Sequence, residues 1–207
     1  GGGALGPLLS PVRDEEVYIS QLYRRAVLLN DEFQLRVRRA VGNSFHGRFE
    51  VHSAPVKTKA RMREKLVSYA PHTPQSQIAH ALDTDLSASS LSPEKRAELP
   101  LAANILDPVR ATIVCDGPEE MVECARWLCQ RGAAEGLPVV RVKNKFAARD
   151  SSEYDGYRDL MVCVLYTGSH DLRIIAELQI HDRRLHDLKM RMHKLYKVKR
   201  AITPDSI

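Results

Sequence analysis

No stretch of the 207-residue chain approaches the roughly 18 consecutive apolar residues that a membrane-spanning helix needs, so no membrane partner is expected. The opening GGGALGPLLSPV lacks a basic cluster followed by an apolar core, which gives the expectation of no secretory leader. It reads as a flexible tail or a cloning remnant. Cysteine is sparse and unpaired: Cys115, Cys124, Cys129 and Cys163 form no CxxC. They sit in apolar strand-like or helix-like runs and read as small buried hydrophobes rather than metal ligands. Unpaired thiols of this kind point to a reducing, cytoplasmic compartment. The chain has no internal repeat.

What is present is ordinary for a globular protein, with 43% hydrophobic and 28% charged residues. The net charge of +5 favours anionic partners such as nucleotides, RNA or acidic lipid. A mildly basic protein with no such partner fits the charge equally well.

Hydrophobic periodicity predicts a helix over 14–41, with Val17, Leu22, Val27, Leu28, Leu35 and Val37 as its apolar positions, Asp14 as a cap and Gly42 following. A strongly basic helix is expected over 55–70, with Pro55 in its first turn. Residues 71–100, with four prolines and the run SASSLS, read as a loop or insertion. From there the pattern changes. Strands are expected at 108–115, 138–146, 159–166 and 174–181, with a helix after Gly117-Pro118 and a basic helix from 182 to about 200. The fold class is α+β, with a mixed sheet of about four or five strands flanked by helices. The division expected is a tail and helix over 1–44, one domain over 45–200 and a short tail over 201–207.

The octet Ile174–His181 is the richest stretch. Its period of two puts Ile174, Ala176, Leu178 and Ile180 on one face, and Ile175, Glu177, Gln179 and His181 on the other. A carboxylate, an amide and an imidazole aligned on an otherwise buried strand are costly unless something uses them. Four other groupings could join this strand. Asp107 with Arg110 precedes an apolar strand, where a carboxylate can bind Mg²⁺; a cap and a surface Arg would look the same. Arg141, Lys143 and Lys145 alternate along a strand as a stripe of cations suited to polyphosphate, or to a solvated edge. Tyr157, after Gly156, stands at a strand entrance where its ring could stack on a base or simply join the core. Lys57, Arg61 and Lys65, at a spacing of four, would share a helical face that an anion could neutralise, or that water could solvate. His193 and Tyr196 follow on the last helix.

In order, the segments KTKARMREK at 57–65, DPVR at 107–110, RVK at 141–143, GYRDLM at 156–161, ELQIH at 177–181 and MHKLY at 192–196 resemble the synthetase domain of the RelA/SpoT family, the (p)ppGpp alarmone synthetases. That domain is itself similar to nucleotidyltransferases of the polymerase-β type. The resemblance covers about residues 45–200. It implies Mg²⁺-dependent transfer of pyrophosphate from ATP to a nucleotide 3′-hydroxyl, GDP or GTP by family default. It implies that Asp107 and Glu177 hold Mg²⁺ and ready the acceptor hydroxyl. Lys57, Lys65, Arg141 and Lys143 would grip the donor phosphates, Tyr157 would stack on the acceptor base, and Gln179 and His193 would support the pocket. Arg61, Arg110, Lys145 and His181 complete the expected nucleotide-binding set.

The chain departs from the family pattern at several points. Pro55 stands where an adenine-stacking Arg is expected, and Arg61 replaces the Ser of the basic helix. Met161 replaces a His, and His181 replaces the Arg of E-x-Q-x-R. The Asp-to-Arg spacing is shorter, and about forty residues separate Lys65 from Asp107. No hydrolase domain or regulatory tail is recognisable. These departures fall on base recognition, so an adenine nucleotide or an RNA 3′ end is an alternative acceptor. A catalytically silent nucleotide- or RNA-binding module on the same fold is the alternative to catalysis, and pyrophosphorylation of RNA ends by a toxin is another. Oligomeric state is not legible.

Overall fold

The computed structural model describes residues 15–69, 100–147 and 158–201. Tyr157, Gly156, Asp14 and nearly all of the expected insertion at 71–100 lie outside the described residues.

Helix α1 (Glu15–Phe45) opens the chain and runs past Gly42 to Phe45, where His46 and Gly47 take left-handed backbone angles of 51° and 79°. Its buried stripe is Ile19, Ala26, Leu29, Phe33, Val37, Ala40 and Val41. The expected apolar set therefore needs correction. Val37 is buried and Leu22 packs at the core edge, whereas Val17, Val27, Leu28 and Leu35 are exposed. Apolar residues lie on more than one side of this helix, and only one stripe meets the sheet.

A short strand, β1 (Glu50–Ser53), follows. Its sequence, EVHS, has a single aliphatic residue and gave no alternation to read. Helix α2 (Lys59–Tyr69) begins later than Pro55. Residues 54–58 instead stay alongside the next strand, with Ala54 N–H donating to the Arg110 carbonyl and Lys57 N–H to the Pro108 carbonyl. Lys57 is thus not on the helix, and the expected shared helical face with Arg61 and Lys65 does not form. A 3₁₀ turn (Leu101–Asn104) then leads into β2 (Val109–Cys115).

Helix α3 (Pro118–Arg131) has proline in its first turn, with Glu119 and Glu120 beside it at the positive end of the helix dipole. It stops at Gly132, where a Cβ would lie 2.4 Å from the Leu128 carbonyl oxygen and 2.7 Å from that of Leu137. Only glycine allows so close a backbone approach. Strands β3 (Val139–Asn144), β4 (Leu160–Thr167) and β5 (Arg173–Asp182) and helix α4 (Arg183–Ala201) complete the fold.

The five strands form one sheet in the order β1-β2-β5-β4-β3. β2 and β5 are parallel, and the other neighbours are antiparallel. The core lies on one face of this sheet. Val109, Ala111 and Ile113 of β2, Val162 and Val164 of β4, and Ile174, Ala176, Leu178 and Ile180 of β5 pack there against α1 and α3. A smaller cluster of Ile19, Met62, Ala102 and Ile105 ties α1, α2 and the 3₁₀ turn together. Among the described residues no helix is long and apolar enough to cross a membrane. The four cysteines are free thiols. Cys115, Cys124 and Cys163 are buried as expected, but Cys129 is exposed.

Candidate functional site

With the core face filled, the alternation of β5 turns Glu177, Gln179 and His181 to the opposite face. Residues paired directly across a sheet project to the same side. Arg110 of β2 pairs with Glu177, Glu177 with Cys163 of β4, and Cys163 with Arg141 of β3. One row across this face therefore reads Arg110, Glu177, Cys163, Arg141. The next row reads Thr112, Gln179, Met161, Lys143. Four strands distant in sequence thus assemble cations at two strands around a central acid.

Asp107 stands just before β2 and is 8% exposed. The Lys57 ammonium pairs with its Oδ2, and Lys65 Nζ donates to its Oδ1 at 2.8 Å. Burial alone would raise the Asp107 pKa, but the two lysines outweigh it and hold the carboxyl below the usual carboxylate range. Lys57 is pushed the other way, below the usual lysine range, chiefly by its own burial.

Glu177 is 3% exposed. Its pKa is raised, first by burial and then by the negative charge of Asp107, and lowered only in part by a hydrogen bond from Gln179 Nε2 at 2.6 Å. The two acids the sequence paired therefore feel each other, and they ionise in opposite directions from the ordinary range. Cys163 lies beside Glu177 in the row, and burial with that neighbouring acid pushes its thiol up to about 11, so it stays protonated at neutral pH. The Nε of Arg110 is buried with no hydrogen-bond acceptor among the described residues.

The remaining expected residues divide. Arg61 pairs with exposed Glu64 on its own helix. Lys143 lies in the second row, toward β3. Lys145 forms an ion pair with Asp159 at 2.8 Å. His181 is buried between two groups: its Nε2 lies 3.7 Å from Asp159 Oδ2, and its Nδ1 lies 3.2 Å from Nδ1 of His186. Burial lowers the His181 pKa more than Asp159 raises it. Tyr157 lies outside the described residues, and of His193 only its place within α4 is described.

Three contributors were given no role from the sequence. Asp159 closes the β4 end of the face, and a signal for it lay within GYRDLM. Lys189 of α4 donates to Gln179 Oε1 at 3.1 Å. His186, also on α4, stacks on His52 of β1 with ring centroids 5.1 Å apart. No periodicity within β5 could reveal what α4 lays across it.

No protein-family model matches the chain, and no curated protein matches it by sequence. Solved structures do. Small alarmone synthetase 1 from Bacillus subtilis bound to its product pppGpp is 18% identical, with a TM-score of 0.55, over 88% of this chain and 80% of that one. The same enzyme bound to AMPCPP is 16% identical, with a TM-score of 0.54, over 88% and 80%. Small alarmone synthetase 2 from Bacillus subtilis is 16% identical, with a TM-score of 0.52, over 93% and 85%. The chain has the nucleotidyltransferase-like fold of the small alarmone synthetases, a mixed five-stranded sheet flanked by helices, as the motif order implied.

Proposed function

We propose that the protein transfers a pyrophosphoryl group from ATP to the 3′-hydroxyl of an acceptor nucleotide. The observation that carries this reading is the pair of buried acids that feel each other's charge, Asp107 just before β2 with Lys57 and Lys65 on it, and Glu177 on β5 in a row with Arg110 and Arg141. The likeness to a small alarmone synthetase solved with pppGpp and with AMPCPP supports it at the level of fold.

In the reaction, the acceptor oxygen bonds to the β-phosphorus of ATP, the bond from that phosphorus to the α-bridging oxygen breaks, and AMP leaves. Most of the work is positioning and charge stabilisation. Glu177 takes the proton from the attacking hydroxyl, directly or through one water. Its raised pKa makes it a better proton acceptor than an ordinary surface carboxylate. Arg110 lies beside Glu177 in the row and Arg141 lies beyond Cys163, two cations for the donor's phosphates on either side of the acid. Lys57, Lys65 and Lys143 add charge for the donor's phosphates.

The two acids fit Mg²⁺. Their oxygens are hard donors, their mutual repulsion would be relieved by a cation, and Mg²⁺ is commonly held by one or two carboxylates together with substrate phosphates. Asp107 and Glu177 would hold it, and it would supply neutralisation of phosphate charge.

One observation favours a second reading, a silent nucleotide- or RNA-binding module: both oxygens of Asp107 are taken by lysines. Incubation with labelled ATP and, separately, GDP, GTP, ADP and bulk tRNA distinguishes the two. Label transferred to one acceptor, with AMP released in equal amount, is the expected result. Binding of ATP with no transfer to any acceptor would support the silent module.

A further inference from the structure

Gln179 sits between a cation and an acid. Lys189 Nζ donates to its Oε1 at 3.1 Å, and its Nε2 donates to Glu177 Oε1 at 2.6 Å. An ammonium group can only donate, so the amide carbonyl must face Lys189 and the amide nitrogen must face Glu177. The two ends of a glutamine amide have nearly the same shape, and packing alone does not choose between them. The donor-only Lys189 and the acceptor-only Glu177 make the choice together, and Lys189 holds the far end.

We propose that Lys189 is a positioning residue that acts through Gln179 to fix the Glu177 carboxylate for proton transfer. This rests on the reading of Glu177 as the base. Lys189 comes from α4, whereas Gln179 and Glu177 are neighbours on β5, so the chain of two hydrogen bonds makes the seating of α4 a condition for a correctly held acid. Without Lys189 the carbonyl end of the amide loses its donor, the bond to Glu177 alone remains, and the amide and the carboxylate it holds are free to sway together. A cation that touched a substrate phosphate directly would instead act on KM.

The test uses the full chain as Lys189→Met, Lys189→Arg, Gln179→Leu and the double variant Lys189→Met/Gln179→Leu. With the accepting nucleotide found above, Lys189→Met is expected to lower kcat by about tenfold to a hundredfold with both KM values nearly unchanged. Lys189→Arg is expected to restore most of it. The double variant is expected to be no slower than Gln179→Leu alone, because the proposed effect of Lys189 on Glu177 runs through Gln179. A large rise in KM with kcat retained, or additive losses in the double variant, overturns the proposal. A second readout needs no turnover. The Gln179 side-chain amide resonances, assigned by their disappearance in Gln179→Leu, are expected to be shifted and protected from exchange in the wild type and in Lys189→Arg, and to lose both properties in Lys189→Met. Unchanged resonances in Lys189→Met overturn the proposal whether or not the protein is active. Absence of transfer by the wild type overturns only the function assigned above.

Discussion

At the scale of single residues, Glu177 and Asp107 are opposites. Glu177 has its charged form disfavoured by burial and by its neighbour, so the folded protein holds that proton more tightly than the unfolded chain does. Its contribution to stability therefore falls as pH rises from the ordinary glutamate range up through its raised folded pKa. Glu177→Gln is expected to abolish transfer, by at least about a hundredfold, while raising the melting temperature near neutral pH. The gain should vanish in acid, where Glu177 is protonated in both states. Melting curves at both pH values check this. Asp107 has a lowered folded pKa, so the stability it contributes is present above the ordinary aspartate range and is lost as pH falls through the folded value. Asp107→Asn leaves Lys57, with 12% side-chain exposure, without its partner acid. Breaking such a buried pair costs about 3 kcal/mol at neutral pH, measurable by urea unfolding. Both acids were legible because each stood at a strand whose alternation could be read. Lys189 and His186 were not, since α4 carries them onto the face and only the tertiary fold places them there, whereas Asp159 stood in GYRDLM at the entrance of β4 and was given no role.

At the scale of elements, strands β2 to β5 and the helices α3 and α4 follow from periodicity, β-branched runs and the Gly-Pro break. The misreadings have physical causes. β1 is a four-residue edge strand whose one aliphatic residue, Val51, packs at the core edge, too little to set up an alternation. Pro55 resembles a helix start but lies in a segment that pairs along β2, which takes Lys57 off the helix and brings it onto Asp107. One element-level contact bears directly on the site. Glu15, the first residue of α1, accepts the backbone N–H groups of Leu101 at 2.6 Å and Ala102 at 2.8 Å. It anchors the 3₁₀ turn from which the chain runs to Asp107. Glu15→Ala is expected to cost about 2 kcal/mol of stability and to lower kcat in a protein that remains folded, as judged by circular dichroism and steady-state kinetics together.

At the scale of the whole molecule, the sheet has two unlike faces. Helices α1 and α3 seal one with aliphatic side chains, and the other gathers acids and cations from β2, β3, β5, α4 and the segment around Lys57. The net charge of +5 adds a long-range attraction for polyanions that salt screens. Affinity for a non-hydrolysable ATP analogue, measured by calorimetry, is expected to weaken steadily between low and physiological salt. The central claim concerns the polar face, where two acids are to share one divalent ion opposite a ring of cations. A crystal structure with that analogue and Mg²⁺ tests it most directly. The expected result is one ion at about 2.1 Å from an oxygen of both Asp107 and Glu177, with the triphosphate lying against Lys57, Lys65, Arg110 and Arg141. An analogue bound elsewhere, or bound without metal while Lys57 and Lys65 stay closed on Asp107, would contradict it.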